Sequence, residues 1–285
     1  MLSAAHSPVM TEEVVKALGP SEDSILVDAT FGRGGHTRAL LKYLGLKGRI
    51  YAMDRDPEAC AIARDWAEGE SRLTVIQAPF SKLSDELIRA GIAGQVSGIV
   101  LDLGVSSPQL DNAERGFSFM RDGPLDMRMG QSGMSAADIV NSVEEKVLAD
   151  LIYLYGEERA SRRIARNIVK SRENLKFETT FQLVKVIEAS LPRPKPGQTH
   201  PATRTFQALR IAVNDELGQL VSGLRAAENI LCEGGLLAVV TFHSLEDRIV
   251  KRFIQGKDRL SSEIQFRLVG GKPIKPKSPE VNRNP

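Results

Sequence analysis

The residues best placed to do chemistry are three aspartates, Asp28, Asp54 and Asp102, each at or just before the end of a short apolar run. Such runs are typical of strands buried in a parallel sheet. Because ligands bind outside the carboxyl ends of parallel strands, we expect the three carboxylates to lie along one ligand-binding edge. A single aspartate after a strand is usually a turn residue, so the prediction depends on all three.

The segment after Asp28 is a glycine-rich turn that leads into a helical pattern. Its glycines are Gly32, Gly34 and Gly35, and His36 follows them. Because glycine has no Cβ atom, the backbone can take positive φ angles here and a ligand can approach the main chain closely. The first N–H groups of the following helix would face that ligand.

Asp54 lies about 20 residues beyond the glycines, the separation at which a carboxylate binds the ribose hydroxyls of a nucleotide cofactor. The turn reads Gly-x-Gly-Gly rather than Gly-x-Gly-x-x-Gly, and no basic side chain is placed to bind a pyrophosphate. These features favour a nucleoside without phosphates, and S-adenosylmethionine is the foremost candidate. The alternative is a loop glycine cluster with a surface aspartate.

Strand and helix patterns alternate through the first third of the chain. The predicted strands are Ser24–Asp28, Gly48–Met53, Arg72–Gln77 and Gly98–Leu103. The predicted helices are Thr11–Leu18, with Thr11 as N-cap, Thr37–Leu46, Pro57–Trp66 and Leu83–Ala90. This alternation predicts an α/β fold in which a doubly wound, Rossmann-like parallel sheet has helices on both faces.

The alternation stops after Asp102. The long stretch that follows, which includes Arg115–Met129, is rich in glycine, proline and methionine and has no period. Its length predicts a binding loop rather than a connector. The alternative is that Phe117, Phe119 and the methionines are simply buried beneath the loop.

Helical patterns without any strand pattern come next: Glu144–Tyr155, Arg159–Lys170 and Phe181–Ser190, the last preceded by a Thr179/Gln182 capping box. We therefore predict an inserted all-helical domain at residues 112–203. The core domain is then discontinuous and consists of residues 1–111 and 204–285.

The last third of the chain returns to the pattern of the core. Apolar spacing predicts one long helix over Pro201–Leu231, ended by Glu233–Gly235. Leu236–Thr241 reads as a fifth buried strand, and an amphipathic helix runs from there to Phe253. Glu263–Val269 is a candidate sixth strand, and the tail beyond it looks unpaired.

Basic residues are concentrated in the predicted insertion. Between Tyr155 and Arg210, 12 Lys or Arg stand against 5 Glu and no Asp, in a chain whose net charge is only +2. Four cations follow helical spacing along one stripe: Arg159, Arg163, Arg166 and Lys170. The proline-rich segment Pro192–His200 adds further cationic groups. We expect this surface to bind the phosphates of a nucleic acid, the alternative being an ordinary solvated helix face.

Composition bounds the remaining possibilities. A chain of 285 residues with 42% hydrophobic and 26% charged residues is typical of a soluble globular protein. It has neither a membrane-length apolar run nor a signal peptide, so no membrane association and a cytoplasmic location are expected. Cys60 and Cys232 lie far apart and outside any metal-binding pattern, so neither a disulfide nor a metal site is predicted. The oligomeric state stays open, with a homodimer among the alternatives.

Six sequence blocks carry a family resemblance, and they run in order along nearly the whole chain: His6–Met10, Asp28–His36, Leu101–Leu110, Gly123–Met129, His200–Arg210 and Phe242–Arg248. Together they closely resemble the bacterial 16S ribosomal RNA cytosine-N4 methyltransferases, the MraW or small subunit methyltransferase H family. The resemblance implies a class I S-adenosylmethionine-dependent methyltransferase core with a helical insertion. It also implies N4-methylation of a decoding-centre cytidine of 16S ribosomal RNA, with the small ribosomal subunit as partner.

The same resemblance implies the cofactor contacts: Gly34, Gly35, His36, Asp54, Phe80, Asp102 and Gln109. Two departures from the family pattern are visible. Gly130 stands where the family usually has an aspartate, and the family continues beyond the Asn284-Pro285 with which this chain stops. A closing strand of the sheet is therefore expected to be missing.

Methyl transfer from a sulfonium is an in-line displacement, so it requires alignment and exclusion of water rather than a nucleophilic side chain. Acceptors for the two N4 protons of cytosine would localise its lone pair. The Asp/Asn/Ser-Pro-Pro-aromatic motif that DNA amino-methylases share is absent after the fourth strand, so Ser106, Ser107, main-chain carbonyls and His243 stay open as acceptors. Methylation at C5 is disfavoured because neither cysteine ends a strand at the pocket.

Two other functions stay open on the residues alone. An NAD-dependent oxidoreductase would share the glycine turn and Asp54. A non-catalytic RNA-binding protein would keep the basic stripe without binding the cofactor.

Overall fold

The computed structural model describes residues 9–257 and 273–276. The chain separates into two compact units. The first unit consists of the chain up to Gly104 and from Leu217 onward, and the second is Val105–Glu216. In sequence, the second unit is therefore an insertion into the first. The predicted boundaries, 112 and 203, both lie inside the second unit.

Among its described residues, the first unit is built on five parallel strands in the order β3-β2-β1-β4-β5. Their bounds are β1 Ile25–Asp28, β2 Arg49–Asp54, β3 Leu73–Gln77, β4 Val96–Asp102 and β5 Leu231–Val240. The strand order reverses direction between β1 and β4, and a doubly wound sheet binds its ligand at such a switch point. The predicted α/β fold class is confirmed.

In the part of the chain that the structure describes, six helices belong to or border the first unit: α1 Thr11–Leu18, α2 Gly35–Leu41, α3 Pro57–Ala67, α4 Leu83–Arg89, α11 Glu216–Ile230 and α12 Ser244–Ile254. Successive residues of β1 lie in different hydrophobic clusters, Leu26 in one and Val27 in the other. Because successive strand residues point to opposite faces, this separation places apolar packing on both faces of the sheet.

The second unit is helical, with α5 Ser107–Asp111, α6 Ala136–Ser142, α7 Glu145–Gly156, α8 Ser161–Arg172, α9 Thr180–Ser190 and α10 Thr203–Asn214. One hydrophobic cluster draws on α6 to α10. The Thr179/Gln182 capping box of α9 is confirmed, since Thr179 Oγ1 accepts the Gln182 N–H. The short helices α5 and α6 were not predicted, because five to seven residues give too little period to recognise.

The loop over Arg115–Met129 is held firmly within the second unit. The buried Arg115 guanidinium donates to the carbonyl oxygens of Arg128 and Met129, both at 3.1 Å. Leu125, Met127 and Met129 are buried in the hydrophobic cluster, as is Phe117. Burial under the loop, the alternative stated above, therefore applies to most of its apolar side chains, whereas Met120 is exposed.

The prediction of one long helix over Pro201–Leu231 is wrong. The segment forms α10 and α11, separated at Asp215, whose φ is +49°. The left-handed backbone of Asp215 ends α10, and the Asn214 side chain anchors this end to the loop, where Oδ1 accepts the Met129 N–H at 2.9 Å and Nδ2 donates to the Met127 carbonyl at 2.7 Å. α10 belongs to the second unit because Phe206 and Leu209 join its hydrophobic cluster.

The fifth strand also differs from the prediction. β5 begins at Leu231 instead of Leu236, directly after α11, and its register against β4 shifts between Val96 and Gly98. Gly234, which has a φ of +76°, lies in the irregular part of the strand. Glycines that were expected to end a helix therefore form a strand irregularity.

The proposed sixth strand, Glu263–Val269, lies outside the described residues, as does the tail apart from residues 273–276. Within the part of the chain that the structure describes, no helix is long and apolar enough to cross a membrane.

Candidate functional site

The turn between β1 and α2 has no room for a side chain at Gly34. Gly32 and Gly34 have φ angles of +53° and +71°, and Gly34 N–H donates to the Phe31 carbonyl at 2.7 Å. A Cβ atom on Gly34 would lie 2.6 Å from the Phe31 ring and 2.7 Å from the Trp66 ring. The glycine requirement at this position is therefore both conformational and steric.

Asp28 supports the turn from inside the protein. Its side chain is fully buried, and Oδ2 accepts hydrogen bonds from Thr37 N at 3.2 Å and Thr37 Oγ1 at 2.7 Å. In the sheet Asp28 pairs with Ala52 and Val100, which come before Asp54 and Asp102 in their strands. Asp28 is thus set back from the edge, and burial raises the pKa of its carboxyl.

Asp54 ends β2 beside the turn. Its Oδ2 accepts the Gly32 N–H at 2.8 Å and its Oδ1 accepts the Asp56 N–H, also at 2.8 Å. Each carboxylate oxygen keeps a second lone pair, so Asp54 can accept two further hydrogen bonds from a ligand. Burial raises the pKa of Asp54 to about 6.

Asp102 ends β4 and contacts His36 at the start of α2. His36 Nε2 lies 3.2 Å from Asp102 Oδ2, and Thr30 Oγ1 accepts the Asp102 N–H at 2.7 Å. Burial lowers the pKa of His36, but the hydrogen bond to Asp102 and the negative charges of Asp102 and Asp28 outweigh burial and raise it overall. The contact links the first turn of α2 to the end of β4.

Two buried atoms of this pair have no hydrogen-bond partner among the described residues: His36 Nδ1 and Asp102 Oδ1. Leaving a buried polar group unsatisfied costs about 1–3 kcal/mol. Such atoms are expected where a ligand completes the hydrogen bonding.

Phe80 follows β3 in a short 3-10 turn, Phe80–Lys82. Its half-buried ring packs on α11 at Gly223, where a Cβ atom would lie 2.5 Å from the ring. The position of the ring therefore depends on a glycine far away in the chain, and the sequence carried no signal for this contact.

Gln109 belongs to the second unit, unlike the other six predicted cofactor contacts, which all belong to the first. Gln109 is buried in α5, and its Oε1 accepts the Ser106 N–H at 2.9 Å. Ser106 and Ser107, considered above as acceptors for the target amine, begin the same short helix.

His243 serves as the N-cap of α12. Its Nδ1 accepts the Glu246 N–H at 3.4 Å, and its Nε2 is buried 3.3 Å from Glu246 Oε1 without hydrogen-bonding geometry. The buried Nε2 has no hydrogen-bond partner among the described residues, so His243 stays a candidate acceptor beside Ser106 and Ser107.

The stripe Arg159, Arg163, Arg166 and Lys170 is exposed, with its last three members on α8 and Arg159 just before that helix. Arg166 lies 3.8 Å from Glu145 Oε1, whereas the other three have no carboxylate partner among the described residues. Two other cations of the basic segment form hydrogen bonds or an ion pair within the protein. Arg172 donates to the Val140 and Val143 carbonyls, and Arg210 pairs with Glu216.

The structure therefore gathers a glycine turn, two edge carboxylates and a buried histidine at the switch point of one sheet. The sequence profile of the MraW methylase family matches residues 3–285. The chain belongs to the MraW methylase family. Its cofactor is S-adenosylmethionine. Membership confirms the resemblance described above and favours methyl transfer over the oxidoreductase and the non-catalytic alternative.

Three relatives illustrate the similarity, and each is named ribosomal RNA small subunit methyltransferase H. The protein of Methylocella silvestris is 51% identical over 99% of this chain and 84% of its own length. The protein of Ruegeria sp. is 50% identical over 99% of this chain and 87% of its own length. The protein of Cereibacter sphaeroides is 55% identical over 88% of this chain and 73% of its own length.

The residues of this MraW methylase suit S-adenosylmethionine. At Gly34 no side chain separates a ligand from the main chain. Asp54 has lone pairs that can accept hydrogen bonds from hydroxyl groups. The unpartnered His36 Nδ1 and Asp102 Oδ1 can bind further polar groups of a ligand. Trp66, Thr30 and Gly223 also shape the site, and sequence reasoning missed all three because each acts through a tertiary contact.

Proposed function

We propose that this chain methylates N4 of a decoding-centre cytidine in 16S ribosomal RNA, with either the naked RNA or the small ribosomal subunit as substrate. The observation that carries the proposal is the pairing of a side-chain-free turn at Gly34 with carboxylates at the ends of β2 and β4. The names of relatives about half identical over 99% of the chain support ribosomal RNA as the substrate.

S-adenosylmethionine supplies the methyl group. Asp54 would bind the ribose hydroxyls, Gly34 and Gly35 would pass close to the cofactor, and His36, Phe80, Asp102 and Gln109 would complete its binding. The role of the protein is then to align the target amine with the methyl group and to exclude water, because the displacement needs no covalent intermediate with the enzyme.

The cysteines support methylation at nitrogen rather than at C5. Methylation at C5 of cytosine requires a thiolate nucleophile. Cys60 is buried in α3, its Sγ donates to the Asp54 carbonyl at 3.2 Å, and burial raises the pKa of its thiol to about 11. Cys232 lies at the beginning of β5, at the opposite end of the strand from the site. Neither thiol is placed to attack a base.

The exposed stripe on and before α8 is proposed to bind RNA phosphates. Replacing Arg159, Arg163 and Arg166 together by Gln is expected to weaken RNA binding and to lower the salt dependence of log K. The slope should fall by about one unit per lost phosphate contact, so by up to about three. Filter binding at several salt concentrations measures both quantities.

A matched control removes three positive charges from the first unit instead of from the stripe. Lys82, Arg89 and Lys251 each pair with a carboxylate, and their joint replacement by Gln should leave the slope unchanged. Equal slopes for the stripe variant and the wild type would show that the stripe is an ordinary solvated face.

The raised pKa of Asp54 predicts a pH dependence of cofactor binding. Above pH 6 the Asp54 carboxylate is ionised and accepts hydrogen bonds from hydroxyl groups, whereas at lower pH its protonation removes an acceptor position that the ligand would use. The dissociation constant of S-adenosylmethionine should therefore rise about tenfold from pH 7.5 to pH 5. Calorimetry at a series of pH values tests this, and Asp54→Asn should lose the transition near pH 6.

The function is tested with labelled S-adenosylmethionine and undermodified ribosomal substrates. One reaction contains naked 16S RNA and a parallel reaction contains assembled small subunits, and mass spectrometry identifies the modified nucleoside. N4-methylcytidine at a single decoding-centre position is the expected product. Label in another nucleoside, or in neither substrate, would contradict the proposal.

A further inference from the structure

Phe242 stands out because a large apolar side chain is left in solvent just beyond the end of β5. It is 54% exposed, although the rest of this region is well packed and Leu245 and Glu246 are both buried. Single exposed apolar residues are common on protein surfaces, so the exposure matters only together with its setting.

The backbone of Phe242 is held rigidly. Its N–H donates to Glu246 Oε2 at 2.8 Å, and the same oxygen lies 3.4 Å from the His243 N–H. Glu246 is itself buried and fixed in the first turn of α12, where His243 is the cap. The aromatic side chain therefore projects from a fixed point instead of a mobile loop, so little entropy would be lost when a ligand packs against it.

The register of the sheet places this ring at the proposed reaction site. Asp102 of β4 pairs with Val240 of β5, and both strands end at this pair. Gly104 and Phe242 each lie two residues beyond this pair. The Phe242 ring lies 3.5 Å from the ideal Cβ position of Gly104. Gly104 has no side chain that could cover the ring. Its φ of +94° favours glycine at this position.

We propose that Phe242 is the stacking residue for the target base. This inference rests on the proposed function, since a cytidine in folded RNA must be unstacked before its amine can reach a methyl donor. Proteins hold unstacked RNA bases against aromatic faces. The exposed ring beside Gly104, two residues beyond Asp102, supplies such a face within the unit that would bind the cofactor, and it compensates the base for its lost stacking.

The test compares four variants in steady-state methylation of undermodified small subunits. Stacking on an aromatic side chain is worth enough that its loss should reduce kcat/KM for RNA about 5- to 150-fold. Phe242→Ala and Phe242→Leu should both show this loss, because leucine keeps apolar bulk without a flat aromatic face. Phe242→Tyr and Phe242→Trp should stay close to the wild type.

Two controls separate stacking from folding and from cofactor binding. All four variants should bind S-adenosylmethionine with wild-type affinity by calorimetry, since Phe242 is proposed to contact only the base. Tyr43→Ala removes an aromatic residue of similar exposure, 52%, just after the C-terminal end of α2, and it should leave kcat/KM unchanged.

The outcomes are distinguishable. A wild-type protein that binds the cofactor but methylates neither subunits nor RNA would overturn the proposed function and the stacking inference with it. An active wild type in which Phe242→Leu matches Tyr43→Ala would overturn the stacking inference alone. A Phe242→Tyr variant as impaired as Phe242→Leu would overturn it as well, because the aromatic face would then not be the property that matters.

Discussion

Replacing Gly34 by alanine is expected to destabilise the first unit by about 2–5 kcal/mol and to abolish cofactor binding. Forcing a Cβ atom into a left-handed backbone costs about 1–2 kcal/mol. Overpacking adds about 1–3 kcal/mol, because the new atom would lie 2.6 Å from Phe31 and 2.7 Å from Trp66. Phe31 is buried, so the ring has little space into which it can move.

Urea unfolding followed by tryptophan emission measures the effect, since Trp66 is the single tryptophan and belongs to the first unit. Gly94→Ala is the matched control. Gly94 has a φ of +72°, nearly that of Gly34, but a Cβ atom there would meet nothing within 4 Å. It should show the backbone cost alone. Equal stabilities for the two variants would mean that the packing around Gly34 does not constrain the turn.

Replacing Asp54 by alanine is expected to weaken S-adenosylmethionine binding by about 10- to 150-fold. Hydrogen bonds to a charged group contribute about 1.5–3 kcal/mol, and the carboxylate is the proposed acceptor for the ribose hydroxyls. The same carboxylate accepts the N–H groups of Gly32 and Asp56, so its removal also loosens the turn. Both effects act against cofactor binding.

Calorimetry gives the change in affinity, and the melting temperature without cofactor separates a loosened turn from a lost ligand contact. Asp85→Ala is the control, because Asp85 is an exposed acid of the same unit whose ion pair among the described residues is with Lys82, at 3.4 Å. An Asp54→Ala variant that binds the cofactor as tightly as Asp85→Ala would show that the ribose assignment is wrong.

Residue types and their period were sufficient for the first half of the fold. Apolar runs, glycines and prolines determine local structure within a few residues, and for this reason the predicted strands β1 to β4 and helices α1 to α4 lie at or near their observed positions. The sequence also determined the separation between the glycine turn and Asp54. One helix, a short connection and one strand of ordinary length fill this separation.

The tertiary structure decided what depends on partners distant in the chain. His36 meets Asp102 although 66 residues separate them, because the sheet places β4 beside β1. α10 ends where Asp215 takes a left-handed backbone, next to an Asn214 side chain that binds the loop at Met127 and Met129. Local periodicity continues across such a break, so only packing could reveal it. The same applies to His243, whose ring caps a helix and whose neighbour Phe242 is left facing solvent.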